Sequence, residues 1–167
     1  IPGQSATRRD LPSGRRVRVH HGSGSVGARI HLIEAKSIGP GQSMLAQLRL
    51  DQPRFMMTGD RVVLREWSGS ATVGGGVVLE AVASRRRVRD EGQVHFLQER
   101  SRNPSDLALL LRSSLERDAL VDLKSFKSRV PFSDQEVEQV AAFLTETGAA
   151  CKIGLRLGDA EWWGELL

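Results

Sequence analysis

Arg16-Val17-Arg18-Val19-His20 sets valines on one side of an extended chain and basic groups on the other. Successive side chains of a strand point to opposite faces, so this alternation predicts a half-buried strand. The same period recurs along the first half of the chain. Val26, Ala28, Ile30 and Leu32 line one face, with Arg29 and His31 opposite. Met44, Ala46, Leu48 and Leu50 repeat it against Gln47 and Arg49, and Val62 and Leu64 repeat it against Val63 and Arg65. Val77 and Leu79 close the series. Between these runs lie Gly22-Ser23-Gly24, Gly39-Pro40-Gly41, Thr58-Gly59-Asp60 and Gly74-Gly75-Gly76. Glycine accepts positive φ and proline presets φ, so these read as turns or bulges. Short strands joined by Gly-rich turns predict a small all-β barrel or sandwich over residues 1–84.

A connector follows over 85–92, where Arg85-Arg86-Arg87-Val88-Arg89 loses the apolar rhythm. The period then changes. Leu107, Leu110, Leu111 and Leu115 recur at three and four after the Asn103-Pro104-Ser105 start signal, which predicts a helix. Leu120-Val121-Asp122 reads as a short strand, and Leu123 to Val130 as a short helical stretch. Ser133-Asp134-Gln135-Glu136 has the pattern of a capping box, with Phe132 and Val137 placed as a hydrophobic staple. Val137, Val140, Ala141 and Leu144 form the apolar stripe behind it, and Gly148 stands where a C-terminal cap belongs. Ala149 to Leu157 reads as a hairpin strand, with Gly154 and Gly158 as turn candidates. Helix, strand, helix, helix, strand, turn, strand is the order of an α+β winged-helix domain, expected over 93–167. Residues 159–167 read as the start of a further helix.

Charge divides the chain. Residues 1–90 hold 15 Lys/Arg and 7 Asp/Glu, and residues 91–167 hold 9 and 13, so a basic half (+8) precedes an acidic one (−4) within a net +4. A basic half suggests a polyanionic partner. The second helix of the helix-turn-helix pair carries Asp134, Glu136, Glu138 and Glu146, with no Lys or Arg from 134 to 147. An acidic helix is repelled by phosphates, so this domain is expected to act as a spacer or protein-contact module rather than to read DNA. Lys124, Lys127 and Arg129 leave a weaker basic edge on the helix before it. A winged-helix transcription regulator with a β-domain is the alternative reading.

Other motifs carry less. Gly22-Ser23-Gly24-Ser25-Val26-Gly27 matches G-x-G-x-x-G, but a dinucleotide site needs a helix after the glycines and a strand pattern follows. His20, His21 and His31 sit on strands, where adjacent side chains diverge, so no metal site is expected. Cys151 reads as a buried strand thiol, and one cysteine fits a reducing cytoplasm. Trp162-Trp163 reads as packing, with Ala160, Trp163 and Leu167 on one face. No catalytic pairing of base and nucleophile is present, no apolar run suits a membrane span, and a monomer is expected.

Gly59-Asp60-Arg61-Val62-Val63-Leu64-Arg65-Glu66, followed by Ala71-Thr72-Val73-Gly74-Gly75-Gly76-Val77-Val78-Leu79, resembles the last strands of domain three in the elongation factor Tu superfamily. The Gly-Gly-Gly-Val-Val-Leu variant and the opening Arg16-Val17-Arg18-Val19-His20-His21-Gly22 are most similar to its bacterial selenocysteine-specific branch, in which winged helices follow the barrel. The resemblance covers residues 15–82 by motif and selects the barrel over the sandwich. It implies a piece of a factor that delivers selenocysteinyl-tRNA to the ribosome, with GTP and Mg bound in a separate domain and later wings binding a hairpin in selenoprotein mRNA. It implies tRNA contact at Arg65, Glu66, Trp67 and Ser68, and in the loop from Lys36 to Ser43 at Lys36, Ser37 and Gln42. Trp67 stands where relatives carry small residues. The chain has no Gly-Lys dipeptide and a single asparagine, Asn103, so it holds neither a P-loop nor Asn-Lys-x-Asp. No enzyme activity and no cofactor are expected of this stretch itself.

Overall fold

The computed structural model describes residues 10–83 and 89–165. The Arg85-Arg86-Arg87 run, the first half of the expected connector and Leu167 therefore lie outside the described residues. Two compact units divide the chain. One holds residues up to Arg54 together with Arg61–Gly76, and the other holds Phe55–Asp60 together with Val77 onward.

The first unit is a curled antiparallel sheet. Its strands are β2 (Arg16–His21), β3 (Gly24–Leu32), β5 (Ala46–Leu50), β6 (Arg61–Glu66) and β7 (Thr72–Val77), in the order β5-β3-β2-β6-β7. A small pair, β1 (Leu11–Pro12) with β4 (Ser37–Ile38), lies apart from it in the ladder. Hairpin β2–β3 pairs His21 with Gly24 across Gly22-Ser23, and Gly22 takes φ 53°, as a two-residue turn requires. The alternation predicted from sequence becomes the core: Val17, Val19, Val26, Ala28, Ile30, Leu32, Val62 and Leu64 are buried on the inner face. Each such valine, leucine or isoleucine side chain stabilises the fold by about 1.5–3 kcal/mol relative to exposure.

Two readings of glycine need correction. Gly74-Gly75-Gly76 is no turn; it lies inside edge strand β7, and a Cβ on Gly75 would stand 3.1 Å from the Val62 carbonyl. Glycine there permits close backbone approach rather than a reversal. Gly158 likewise lies inside a strand, β10, where a Cβ would stand 2.8 Å from both Ile153 Cδ1 and Trp163 Cδ1. Gly154, at φ 62°, does make the turn. Met44 falls just before β5.

The second unit contains α1 (Glu91–Arg102), α2 (Leu107–Asp118), β8 (Leu120–Asp122), α3 (Leu123–Lys127), α4 (Asp134–Glu146), β9 (Ala150–Ile153), β10 (Arg156–Asp159) and α5 (Ala160–Gly164). A three-stranded antiparallel sheet, β8-β10-β9, accompanies the helices. Helix α1 is an addition to the order read from sequence. Of its residues only Phe96 and Arg100 are buried, so it has no apolar stripe to betray it.

Helix α4 is as its sequence specifies. The Ser133 Oγ accepts from the Glu136 amide at 3.3 Å, and the Glu136 carboxylate accepts from the Ser133 amide at 2.8 Å. The Ser133 hydroxyl, which donates to the Glu136 carboxylate at 2.6 Å, and then the Ser133 amide hold that carboxyl below its ordinary range. Past the helix, Gly148 N–H donates to the Thr145 carbonyl and Ala149 N–H to the Leu144 carbonyl, with Gly148 at φ 74°. That is the Schellman closure. The core beneath is Leu107, Leu110, Leu111, Leu115, Val121, Leu123, Phe126, Val137, Ala141, Leu144 and Leu157, with Phe132 and Val140 packed against it. Cys151 is half-buried on β9, so the buried-thiol reading is corrected: at the start of a four-residue hairpin strand only Ala150 turns fully inward. No helix among the described residues is long and apolar enough to cross a membrane.

Candidate nucleic-acid interface

Strand β6 ends at Glu66; Arg65, its last outward position, and Trp67, the first residue beyond it, fall on the outer face of the sheet. The register fixes this: Arg18 is opposite Arg65, and Val17, which is fully buried, is opposite Glu66. Directly opposed residues share a face. Glu66 therefore sits on the other side of the sheet from Arg65 and Trp67. Its carboxylate accepts from Arg15 Nη2 at 3.2 Å and from Ser70 Oγ at 3.1 Å. Ser68 and Ser70 hydroxyls lie 2.8 Å apart in the turn that follows, closed by Gly69 N–H to the Glu66 carbonyl. The four predicted contacts at 65–68 thus divide, with a cation and an aromatic on the outer face and a carboxylate tied into the turn.

Trp67 is 41% exposed yet firmly placed. The Arg16 guanidinium stacks 3.8 Å from its ring centroid, and Arg18 lies 5.3 Å away. Its Cζ3 and Cη2 would be 2.8 and 3.0 Å from a Cβ on Gly27, so the ring rests where strand β3 lacks a side chain. Asp51 crowds the same position and accepts from Arg16 Nη2 at 2.9 Å. Arg65 is half-buried, and its Nε has no hydrogen-bond partner among the described residues. Arg16 and Arg18 escaped the sequence reading as site residues; the signal available was that both alternate with core valines on the strand that pairs with β6.

The second predicted patch is a turn. Ser37 pairs with Pro12 in the small β1–β4 ladder, and the Lys36 carbonyl accepts from Ser13 N–H at 2.8 Å. Gln42 Oε1 accepts from Gly39 N–H at 2.9 Å, so its amide oxygen holds the Gly39-Pro40-Gly41 turn. Lys36 and Ser37 are exposed.

In the second unit the notable polar cluster is internal. Arg100, 5% exposed, donates to Ser113 Oγ at 3.1 Å, Ser114 Oγ at 2.7 Å, and the Leu79 and Leu110 carbonyls at 3.0 Å. Phe96 lies between Arg100 and Arg117, at 4.0 and 3.8 Å from its ring centroid. Arg117 pairs with Glu80 at 2.7 Å and grips Asp118 with two nitrogens. Burial, and the charge of Arg117 beside it, pull Arg100 down to about 10, so it stays protonated at neutral pH. These donors are engaged by protein acceptors and hold a scaffold. Lys127 of α3 bonds Glu138 of α4 at 2.7 Å, holding that carboxyl below its ordinary range, so the acidic helix face is partly neutralised by the preceding helix.

Residues 3–85 match the family model described as selenocysteine-specific elongation factor, beta-barrel domain. Through this barrel the chain belongs to the selenocysteine-specific elongation factor family. The selenocysteine-specific elongation factor of Haemophilus influenzae is 30% identical over 81 residues, which are 48% of this chain and 13% of that protein. That of Desulfomicrobium baculatum is 32% identical over 73 residues, 44% of this chain and 11% of that protein. The chain thus spans a small part of the length of the relatives it matches.

Proposed function

We propose that this chain supplies the RNA-contacting barrel of a factor that delivers selenocysteinyl-tRNA to the ribosome. The observation that carries the reading is Arg65 and Trp67 side by side on the outer face, at positions matching the family's tRNA-contact motif, with Arg16 and Arg18 beside them. Arginine suits phosphate, and a sheet face reads RNA by shape rather than base sequence. Ser68, Lys36 and Ser37 are exposed and extend the contact. Gln42 and Glu66 act through the turns they hold.

The second unit serves as a winged-helix spacer toward mRNA-hairpin-binding wings elsewhere in the factor. The order α2-β8-α3-α4-β9-β10 and the acidic α4 support this. GTP and Mg belong to another domain of the factor, and the factor works as a cytoplasmic monomer.

The test is a titration of the full chain with an unacylated selenocysteine tRNA transcript at several salt concentrations. Arg65→Glu is expected to weaken binding and to lower the slope of log K against log salt by roughly one. Undiminished binding by that variant sinks the assignment.

A further inference from the structure

The outer face of the sheet carries arginines where a sheet tolerates them least. Register sets Arg16 directly opposite Arg29, Arg29 directly opposite Arg49, and Arg18 directly opposite Arg65. Opposed residues have β-carbons about 4.5–5.5 Å apart, and like charges so placed destabilise the pairing. Three such pairs on one face work against folding of the barrel in isolation.

Little on the face offsets the repulsion. Asp51 pairs with Arg16, with both side chains about half exposed. Arg29 donates to the neutral Gly14 carbonyl at 2.9 Å, and Arg49 to the neutral Gln47 Oε1 at 3.0 Å. Among the described residues neither Arg29 nor Arg49 has a carboxylate within ion-pair distance. Trp67 continues the first row beyond Arg16, and Arg18 and Arg65 make the second.

We propose that the rows Arg49–Arg29–Arg16 and Arg18–Arg65 form a docking surface for the phosphate backbone of double-stranded RNA, reaching across the sheet from the Arg65–Trp67 edge. The inference rests on the reading of the barrel as an RNA-binding element, and extends it onto strands β3 and β5. Charge complementarity selects the occupant. Neighbouring strands are spaced by about 4.8 Å, so each row is a regular ladder of cations, suited to a regularly charged backbone. The face has no asparagine and its glutamine, Gln47, is buried, so it lacks the amides that pair with base edges. Recognition there is by charge and helix shape.

The experiment measures binding of a short blunt-ended RNA duplex to the full chain between roughly 50 and 200 mM salt. It compares the parent, Arg29→Gln, Arg49→Gln and the double variant, with thermal melting of each. Each substitution is expected to weaken binding and to lower the salt slope by roughly one. The free variants are expected to melt no lower than the parent at low salt, because a like-charge pair is gone. A double variant that binds with the parent's affinity and slope overturns the proposal. So does one whose melting falls while RNA binding holds, which makes the arginines structural. Polyglutamate bound as tightly as the duplex also overturns it, in favour of an acidic protein partner. If Arg65→Glu weakens tRNA binding while the double variant does not, the barrel reading stands and this surface falls; if neither does, both fall.

Discussion

Gly27 makes room for Trp67, and replacing it with alanine tests whether that packing sets the interface. A Cβ at 27 collides with the Asp51 carboxylate and stands 2.8 Å from Trp67 Cζ3, so both side chains must move. Moving them breaks the Arg16 stack, which at an exposed site contributes about 0.5–1 kcal/mol. It also breaks the exposed Arg16–Asp51 pair, worth about 0.2–1 kcal/mol. Against this, alanine in a strand interior is favoured over glycine by roughly 0.5–1 kcal/mol. The terms partly cancel, and the net loss should stay within about 1.5 kcal/mol, at about 4–8 °C per kcal/mol in the melting of a small domain. The environment of Trp67 should nonetheless change. In a Trp162→Phe, Trp163→Phe background, where Trp67 is the one remaining tryptophan, its emission should shift to the red while circular dichroism stays that of the parent. Unchanged emission would mean that the ring does not rest on Gly27. A loss well beyond about 2 kcal/mol would mean that the collision propagates into the core, as large destabilisations by small substitutions do.

Two further outcomes concern the second unit. Arg100→Met leaves the Leu79 carbonyl without the Arg100 donor and removes charged hydrogen bonds, while sparing the desolvation of a buried cation; a net loss of about 2–3 kcal/mol in urea unfolding is expected. A variant as stable as the parent would show the guanidinium to be a net cost. Ser133→Ala should cost about 1 kcal/mol. Because Glu136 titrates below its ordinary 4.5 in the folded state, its contribution is present above that value and disappears as pH falls through the lowered one. The stability difference between parent and Ser133→Ala should therefore shrink on the acid side, and a difference constant through that range would rule the capping carboxylate out.

The sheet was legible where one face is buried. Val17, Val19, Ala28 and Ile30 alternate because the core demands it, and the period shows through. Edge strand β7 buries almost nothing, so its three glycines looked like a turn. Helix α1 was invisible because one of its two buried side chains is an arginine, whose hydrogen bonds rather than hydrophobicity place it inside. Of the candidate site, positions 65–68 were singled out by the motif around Arg65-Glu66, from which Trp67 departs, and strict alternation already put Glu66 on the other face from Arg65. The arginine rows were out of reach, because they depend on which strands become neighbours, and β5-β3-β2-β6 is not the order of the chain.

Ala119 ends helix α2 with φ 57°, the one left-handed residue other than glycine among the described residues. Its carbonyl accepts both the Asp159 amide at 2.9 Å and the Trp163 indole N–H at 3.1 Å. One peptide oxygen thus joins the end of a helix, the end of a hairpin and the helix that leaves it. Those three cannot loosen independently, and the indole proton should exchange with solvent only when they open together. That proton is a native gauge of the unit's opening equilibrium, readable by proton spectroscopy without any label.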